Sequence, residues 1–177
     1  MDAFQKALAI VFRSEGGVSN KEWDDGGLTN LGITQETLNT YRLSYPSLST
    51  SFPTDVRKLN HDQAATIYHD MFWCGAQCDR LPAPLAIAVF DYAVNSGPKR
   101  AIERLQRALR IKEDGVFGAK TADAANNCNV GEILDRLMRI RFMKWIEDDD
   151  FKDAGAGWLE RGARLCRQIG QMMGEEG

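Results

Sequence analysis

The sequence predicts a mainly helical α+β fold carrying one small β-hairpin near residues 24–34. Apolar residues recur at spacings of three and four through most of the chain, the signature of amphipathic helices. Thr34, Asn60 and Asn129 each stand where a polar side chain caps a helix start. One concentration of turn residues, Asp24, Asp25, Gly26, Gly27 and Gly32, interrupts this pattern and suits a loop and hairpin. With 177 residues, 44% of them hydrophobic and 27% charged, the chain has the composition of a soluble globular protein, as one domain or two small lobes sharing a core.

Taken in order, Phe4, Leu8 and Val11, with Phe12 beside them, predict a first helix with one buried stripe that stops near Gly16 and Gly17. After the hairpin, Thr34 caps a second helix carrying Leu38 and Tyr41, and Ser44 to Pro53 reads as an exposed loop. Asn60 with Gln63 forms a capping-box pattern ahead of Ile67, Tyr68 and Met71. Pro82 and Pro84 introduce an almost continuously apolar helix through Leu85, Ile87, Val89 and Phe90, which predicts a central position and an end near Ser96, Gly97 and Pro98. Ile102, Leu105 and Leu109 share the next helical face, and Asp114-Gly115 marks a turn. Asn129 and Glu132 start a helix through Leu134, Leu137, Met138, Arg141, Phe142 and Trp145, which ends in the acidic run Glu147 to Asp150. A last helix carries Trp158, Leu165 and Ile169.

Several function classes recede on composition. No apolar run approaches the roughly 20 residues that span a bilayer, and Met1 to Val11 has neither a basic n-region nor a small-residue cleavage site, so neither membrane insertion nor an export signal is expected. A net charge of −3 argues against nucleic acid, although Lys99, Arg100, Arg104, Arg107, Arg110 and Lys112 concentrate positive charge in one stretch. That stretch is a solvated helix face or a means of holding an acidic polymer. Cys74, Cys78, Cys128 and Cys166 are expected to be buried thiols, and His69 with Cys74 and Cys78 matches no zinc spacing. Neither a metal nor an organic cofactor is expected.

One further step of four from Phe4, Leu8 and Val11 lands on Glu15, a carboxylate on the apolar face where the helix ends. Partial burial raises a carboxyl's pKa, the condition for an acid that must keep its proton near neutral pH and donate it to a leaving oxygen. The alternative is a Glu turned to solvent or paired with an Arg, and spacing alone leaves both open. A glycosidase needs a second carboxylate, and Asp24 or Asp25 on the following loop supplies one, with Thr29 on the hairpin able to hold the attacking water. Asp and Gly are also what ordinary turns prefer.

Together these residues carry a resemblance. Glu15-Gly16-Gly17, Asn20, Asp24, Gly26-Gly27, Thr29-Asn30 and Gly32-Ile33-Thr34 resemble the opening signature of glycoside hydrolase family 108, N-acetylmuramidases of phages and bacteria. Ala88 to Gly97 is similar to the helix that follows in that family. Leu105 to Leu109, Asp114 to Gly118 and Lys120-Thr121 resemble its predicted peptidoglycan-binding segment, and Gly157-Trp158 its C-terminal Gly-Trp. Val18, Lys21-Glu22-Trp23, Asp25 and Ala119 depart from the family's usual residues.

The resemblance implies a lysozyme-like fold and cleavage between N-acetylmuramic acid and N-acetylglucosamine, with Glu15 as the acid. Asp24 and Thr29 fall at the family's separations, and the expected catalytic set is Glu15, Asp24 and Thr29. Asn30, Tyr92 and Asn95 are expected to bind the glycan; Tyr92 and Asn95 lie three apart on the apolar helix and can share one face. Core packing is the competing reading for Tyr92, and for Trp73 and Trp158. The expected organisation is a catalytic lobe over residues 1–96 and a helical, peptidoglycan-binding lobe over 97–177, packed as one monomeric unit with the glycan cleft between the lobes. The expected setting is a phage endolysin, made in the host cytoplasm and released to the wall by a separate holin-type, membrane-permeabilising protein. The rivals are a lytic transglycosylase, a wall-binding module without catalysis, and a nucleic-acid-binding protein using the basic stretch.

Overall fold

The structure, a computed structural model, describes residues 1–14 and 28–175. Among these the fold is mainly helical, with one two-stranded antiparallel hairpin. By their contacts the residues group into two compact units, Met1–Phe72 and Trp73–Gly177. None of the described helices is long and apolar enough to cross a membrane.

In the first unit, α1 (Ala3–Ser14) starts with a reciprocal cap: Gln5 N–H donates to Asp2 Oδ1 at 2.7 Å, and Asp2 N–H to Gln5 Oε1 at 3.1 Å. Its buried stripe is Ala7, Ile10 and Val11, whereas Phe4 and Leu8 are only half-buried. The stripe is turned from the predicted one because Phe4 and Phe12 lie edge-on against rings, Phe4 on His69 at 5.0 Å and Phe12 on Tyr68 at 5.8 Å. Small Ala7 takes a fully enclosed place that a count of large apolar residues passes over.

The hairpin joins β1 (Thr29–Asn30) to β2 (Ile33–Thr34), with Thr29 opposite Thr34 and Asn30 opposite Ile33. Leu31 and Gly32 both take positive φ, 53° and 74°, as a two-residue type I′ turn requires. Gly32 adopts this freely, while Leu31 is strained by about 1–2 kcal/mol. The Tyr68 hydroxyl donates to the Leu31 carbonyl at 3.1 Å and so holds the strained turn.

Thr34 then caps α2 (Gln35–Ser44), its hydroxyl accepting from Thr37 N–H at 3.0 Å. The loop after α2 is mostly exposed, as expected, but Phe52 is buried against Tyr41, ring centroids 4.8 Å apart. Two side-chain amides fasten the following turn, Val56–Lys58. Asn30 donates to the carbonyls of Val56 and Leu59, both at 3.0 Å, and Gln35 accepts from Val56 N–H at 2.9 Å while donating to the Thr54 carbonyl at 2.8 Å. The Asn60–Gln63 capping box is formed at the start of α3 (His61–Ile67), which passes into a π-helical turn, Tyr68–Trp73.

The second unit is built around α4 (Ala83–Ser96). Every residue from Pro84 to Ala93 is buried, as a helix apolar on all sides must be. Gly97 at φ 83° breaks the chain direction before α5 (Pro98–Ala108). A short helix that sequence reading did not anticipate, α6 (Ala119–Asn126), follows the Asp114-Gly115 turn. Then come α7 (Val130–Ile146), with Asn129 capping through Glu132 N–H, the acidic turn, and the long α8 (Phe151–Glu175). Rings of α7 pack directly on α8: a Cβ added at Gly162 would stand 2.4 Å from Phe142 Cε1, so only glycine permits that approach.

Asp91 of α4, 1% exposed, ties these helices together. Its carboxylate accepts from Arg141 of α7 and from Arg161 of α8 at 3.0 Å. Burial works against the charged form, but the two guanidinia outweigh it and hold the Asp91 carboxyl below the usual carboxylate range. Arg141 is itself 2% exposed, and its guanidinium lies over the rings of Tyr92 at 5.2 Å and Trp145 at 4.6 Å. Among the described residues its Nη2 has no hydrogen-bond partner, and the ring faces supply its remaining stabilisation.

The four cysteines, expected as buried thiols, divide: Cys78 is buried, Cys74 and Cys128 are half-buried, and Cys166 is exposed on α8. Burial, then the nearby Asp79, pushes the Cys78 thiol upward. Cys166 is exposed because α8 turns Leu165 and Ile169 inward, a phase that leaves position 166 outward.

Two tests follow from this packing. Asp91→Asn leaves Arg141 buried without a counter-charge and should lower stability by about 3–5 kcal/mol in urea titration. Because the folded pKa of Asp91 lies below its unfolded value near 3.9, its stabilisation is complete above that pH and drains as pH falls through the folded pKa. The wild-type advantage over Asp91→Asn should therefore hold at pH 7 and shrink in acid. Asn30→Ala strips the Val56 and Leu59 carbonyls of their donor and should cost about 1–3 kcal/mol, with faster amide exchange confined to residues 28–34 and 54–59.

Candidate active site

Glu15 and Asp24, the two expected carboxylates, lie outside the described residues, as does Asp25. What can be built upward is the scaffold of the remaining candidates. In a two-residue strand, successive side chains point to opposite faces and directly opposed residues share one. The hairpin register therefore puts Asn30 and Ile33 on one face, 7% and 1% exposed, and Thr29 and Thr34 on the other, both half-buried.

That split separates the two hairpin candidates by role. Asn30 is anchored inward, its amide nitrogen within 3.0 Å of two carbonyls and 3.4 Å of a third, that of Arg57. Thr34 commits its hydroxyl to the α2 cap and to the Thr37 hydroxyl at 2.9 Å. Thr29, half-buried, stands on the opposite face of a ribbon whose Asn30 face is clamped. A strained turn and a buried amide hold it in place.

Tyr92 and Asn95 are both on α4, in the second unit. Tyr92 is 5% exposed and its ring serves as one wall of the Arg141 guanidinium site. Asn95 is exposed, and its amide donates back to the Asp91 carbonyl one turn earlier at 2.7 Å. Trp73 is core, 2% exposed, with its indole N–H donating to Asp79 at 2.7 Å and its ring edge-on to Phe90. Trp158 is half-buried and faces Trp145 at 6.3 Å between ring centroids.

The segment that resembles a peptidoglycan-binding motif is organised by one buried side chain. Gln106, 2% exposed, accepts from the backbone N–H of Asp114 and Gly115 at 3.0 and 2.9 Å. Its amide nitrogen lies 2.9 Å from Asp114 Oδ1, 3.1 Å from the Val116 carbonyl and 3.2 Å from the Thr121 hydroxyl. The motif residues Gln106, Asp114, Gly115 and Thr121 are thus one hydrogen-bonded staple that shapes the α5–α6 connection.

Sequence reading missed two polar groups. Asp91 stood inside an apolar run, and only that position, a carboxylate among core residues, signalled a buried ion pair. Asp70 accepts from the Tyr41 hydroxyl at 2.8 Å and lies 3.0 Å from His69 Nδ1. Burial, reinforced by this bond and the carboxylate's charge, pushes the Tyr41 phenol upward. Among the described residues no set of three His, Cys, Asp or Glu side chains converges in a way that would hold a metal ion.

Comparison with known proteins gives this geometry a family. The sequence profile of glycosyl hydrolase family 108 matches residues 8–97, half of the chain, from within α1 through the end of α4. Among solved structures the chain is similar to SagA of Brucella abortus, at 33% identity over 94% of this chain and 92% of that one, with a TM-score of 0.83. No curated protein sequence gives a significant match. The hairpin, its clamp and the buried central helix all fall inside the matched region, and the chain belongs to glycosyl hydrolase family 108.

Proposed function

We propose that this glycosyl hydrolase cuts the glycan strands of bacterial peptidoglycan between N-acetylmuramic acid and N-acetylglucosamine, as a lysozyme-like muramidase with Glu15 as its general acid. The observation that carries the reading is the family match across residues 8–97, which takes in Glu15, Asp24 and the hairpin bearing Thr29. The half-buried, rigidly mounted Thr29 supports it, since an inverting glycosidase needs a water held opposite the leaving group.

In this mechanism protonated Glu15 gives its proton to the glycosidic oxygen as the bond from that oxygen to the anomeric carbon breaks. A water attacks the anomeric carbon from the far side, and Asp24 takes a proton from it while Thr29 fixes its position. Atoms balance as one water consumed and one new reducing end formed. The two carboxyl groups must then stand roughly 6.5–9.5 Å apart, the separation that leaves room for the water. Asn30 serves the site by holding the hairpin; on α4 the exposed Asn95 is the proposed glycan contact, while the buried Tyr92 ring backs the Arg141 guanidinium instead.

Mass spectrometry of purified peptidoglycan digested by wild type and by Glu15→Gln tests the reading. Wild type should release muropeptides with ordinary reducing muramic ends, and the variant should be slower by about 10²–10⁴-fold, the contribution of a positioned acid. Anhydro-muramic ends would instead make the enzyme a lytic transglycosylase, and inactivity of the wild type would leave only a wall-binding module. NMR of the fresh product should show the inverted anomer; retained β-configuration would rule out the single-displacement route.

A further inference from the structure

The basic stretch noticed in the sequence does not lie on one helix face alone. Arg104 and Arg107 of α5, and Arg110 just beyond it, converge with Arg136, Arg139 and Lys144 of α7 on a single cavity of about 420 Å³. Its remaining lining is Ala108, Ile140, Met143 and Glu147. Six cations and one carboxylate therefore surround an apolar floor, in a chain whose net charge is −3. Such charge segregation sets up a local field opposite in sign to that of the whole molecule.

Carboxylates nearby neutralise part of this charge. Glu113 bridges two of the guanidinia, 2.7 Å from Arg107 Nε and 3.6 Å from Arg104 Nη1. Arg136 pairs with Glu132, and Lys144 lies 3.4 Å from Asp148. Among the described residues Arg110 and Arg139, both exposed, have no ion-pair partner. Arg110 is also held at φ 59°, the left-handed conformation at a helix end where glycine is the usual residue. A strained arginine where glycine would be easier, aimed with its charge unspent at a cationic cavity, points to a ligand.

The dimensions select the kind of ligand. From Arg136 to Glu147 the lining runs along three turns of helix, about 16 Å at 1.5 Å per residue. That is too long for one isolated anion and suits a chain bearing several. Guanidinium forks match carboxylates in bidentate fashion, and the Ala108, Ile140 and Met143 floor accepts small apolar side chains between the charges.

We propose that the α5–α7 cavity binds a short acidic peptide of alanine-like and carboxylate-bearing residues, the chemistry of the peptide stems attached to the glycan. This rests on the muramidase reading for its biological source, though not for its chemistry. Arg110 and Arg139 supply the unspent charge, and the site holds the peptide while cleavage proceeds elsewhere.

Two variants and two assays test the proposal. Arg110→Gly removes a cation and relieves the strained φ, so it should fold with stability equal to or above wild type; Arg139→Gln is an exposed helical change. Titration of ¹⁵N-labelled protein with an alanine- and glutamate-containing tetrapeptide should shift amides of residues 104–110 and 136–147. Affinity should fall about tenfold in the double variant and fall again as salt rises. This binding assay is independent of hydrolysis, so inactivity of the enzyme would leave it standing. In the second assay, KM for peptide-bearing strands should rise in the double variant, while strands stripped of their peptides are cut equally by both proteins. The proposal is overturned if the peptide shifts no amide in the cavity, if a linear polyphosphate binds there and the peptide does not displace it, or if the double variant loses as much on stripped strands as on intact ones.

Discussion

The packing of the helical unit turns on a single buried carboxylate. Asp91 sits in a stretch of helix, Pro84 to Ala93, with no exposed face, so leaving it uncompensated would carry a penalty of several kcal/mol. Only an arrangement that brings Arg141 of α7 and Arg161 of α8 to the same side of α4 removes that penalty. A hydrophobic residue in place of Asp91 would pack equally well in several helix orientations. A buried ion triad of this kind adds little net stability over an apolar packing, and Tyr92 and Trp145 enclose the Arg141 guanidinium.

A comparable economy governs the first unit, where hydrogen bonds set geometry that so small a sheet cannot. A ribbon of two residues per strand has almost no ladder of its own. Its position comes from Asn30 and Gln35 gripping the 54–59 backbone, and its turn from Tyr68 bonded to the Leu31 carbonyl. Thr29, paired with Thr34 across the hairpin, inherits rigidity from all of these. A single side chain likewise organises the loop ahead of α6, where the Gln106 amide bonds Asp114, Gly115, Val116 and Thr121.

The family assignment and the basic cavity concern different stretches of the chain. The matched region ends at Gly97, where α4 gives way to α5, whereas the cavity lies wholly between residues 104 and 147. Cleavage of a glycan requires one proton donor and one well-placed water; retention of a heavily substituted polymer requires many weak contacts spread along it. On the proposed reading these tasks fall on separate stretches, so each could be tuned without disturbing the other.

Local sequence determined the larger helices and the centrality of α4 through apolar spacing, the three caps through polar residue types and the hairpin through its turn residues, because each depends on residues close together in the chain. The short helix α6 escaped because its sequence, with Thr121 and Ala125 as its buried residues, has too small an apolar face to read as amphipathic. Phe52 escaped because it lies among Ser, Thr and Pro in a loop whose neighbouring apolar residue, Leu48, is exposed. Asn30, by sequence a candidate for touching substrate, proved to face inward, since the side to which a strand residue points depends on what the ribbon packs against. Residue types and spacing nominated Glu15, Asp24 and Thr29 as chemistry and Lys99 to Lys112 as a charged stretch. Only tertiary structure brought Arg136, Arg139 and Lys144 to the same cavity as Arg104, Arg107 and Arg110, because convergence between α5 and α7 is a property of packing that no local pattern encodes.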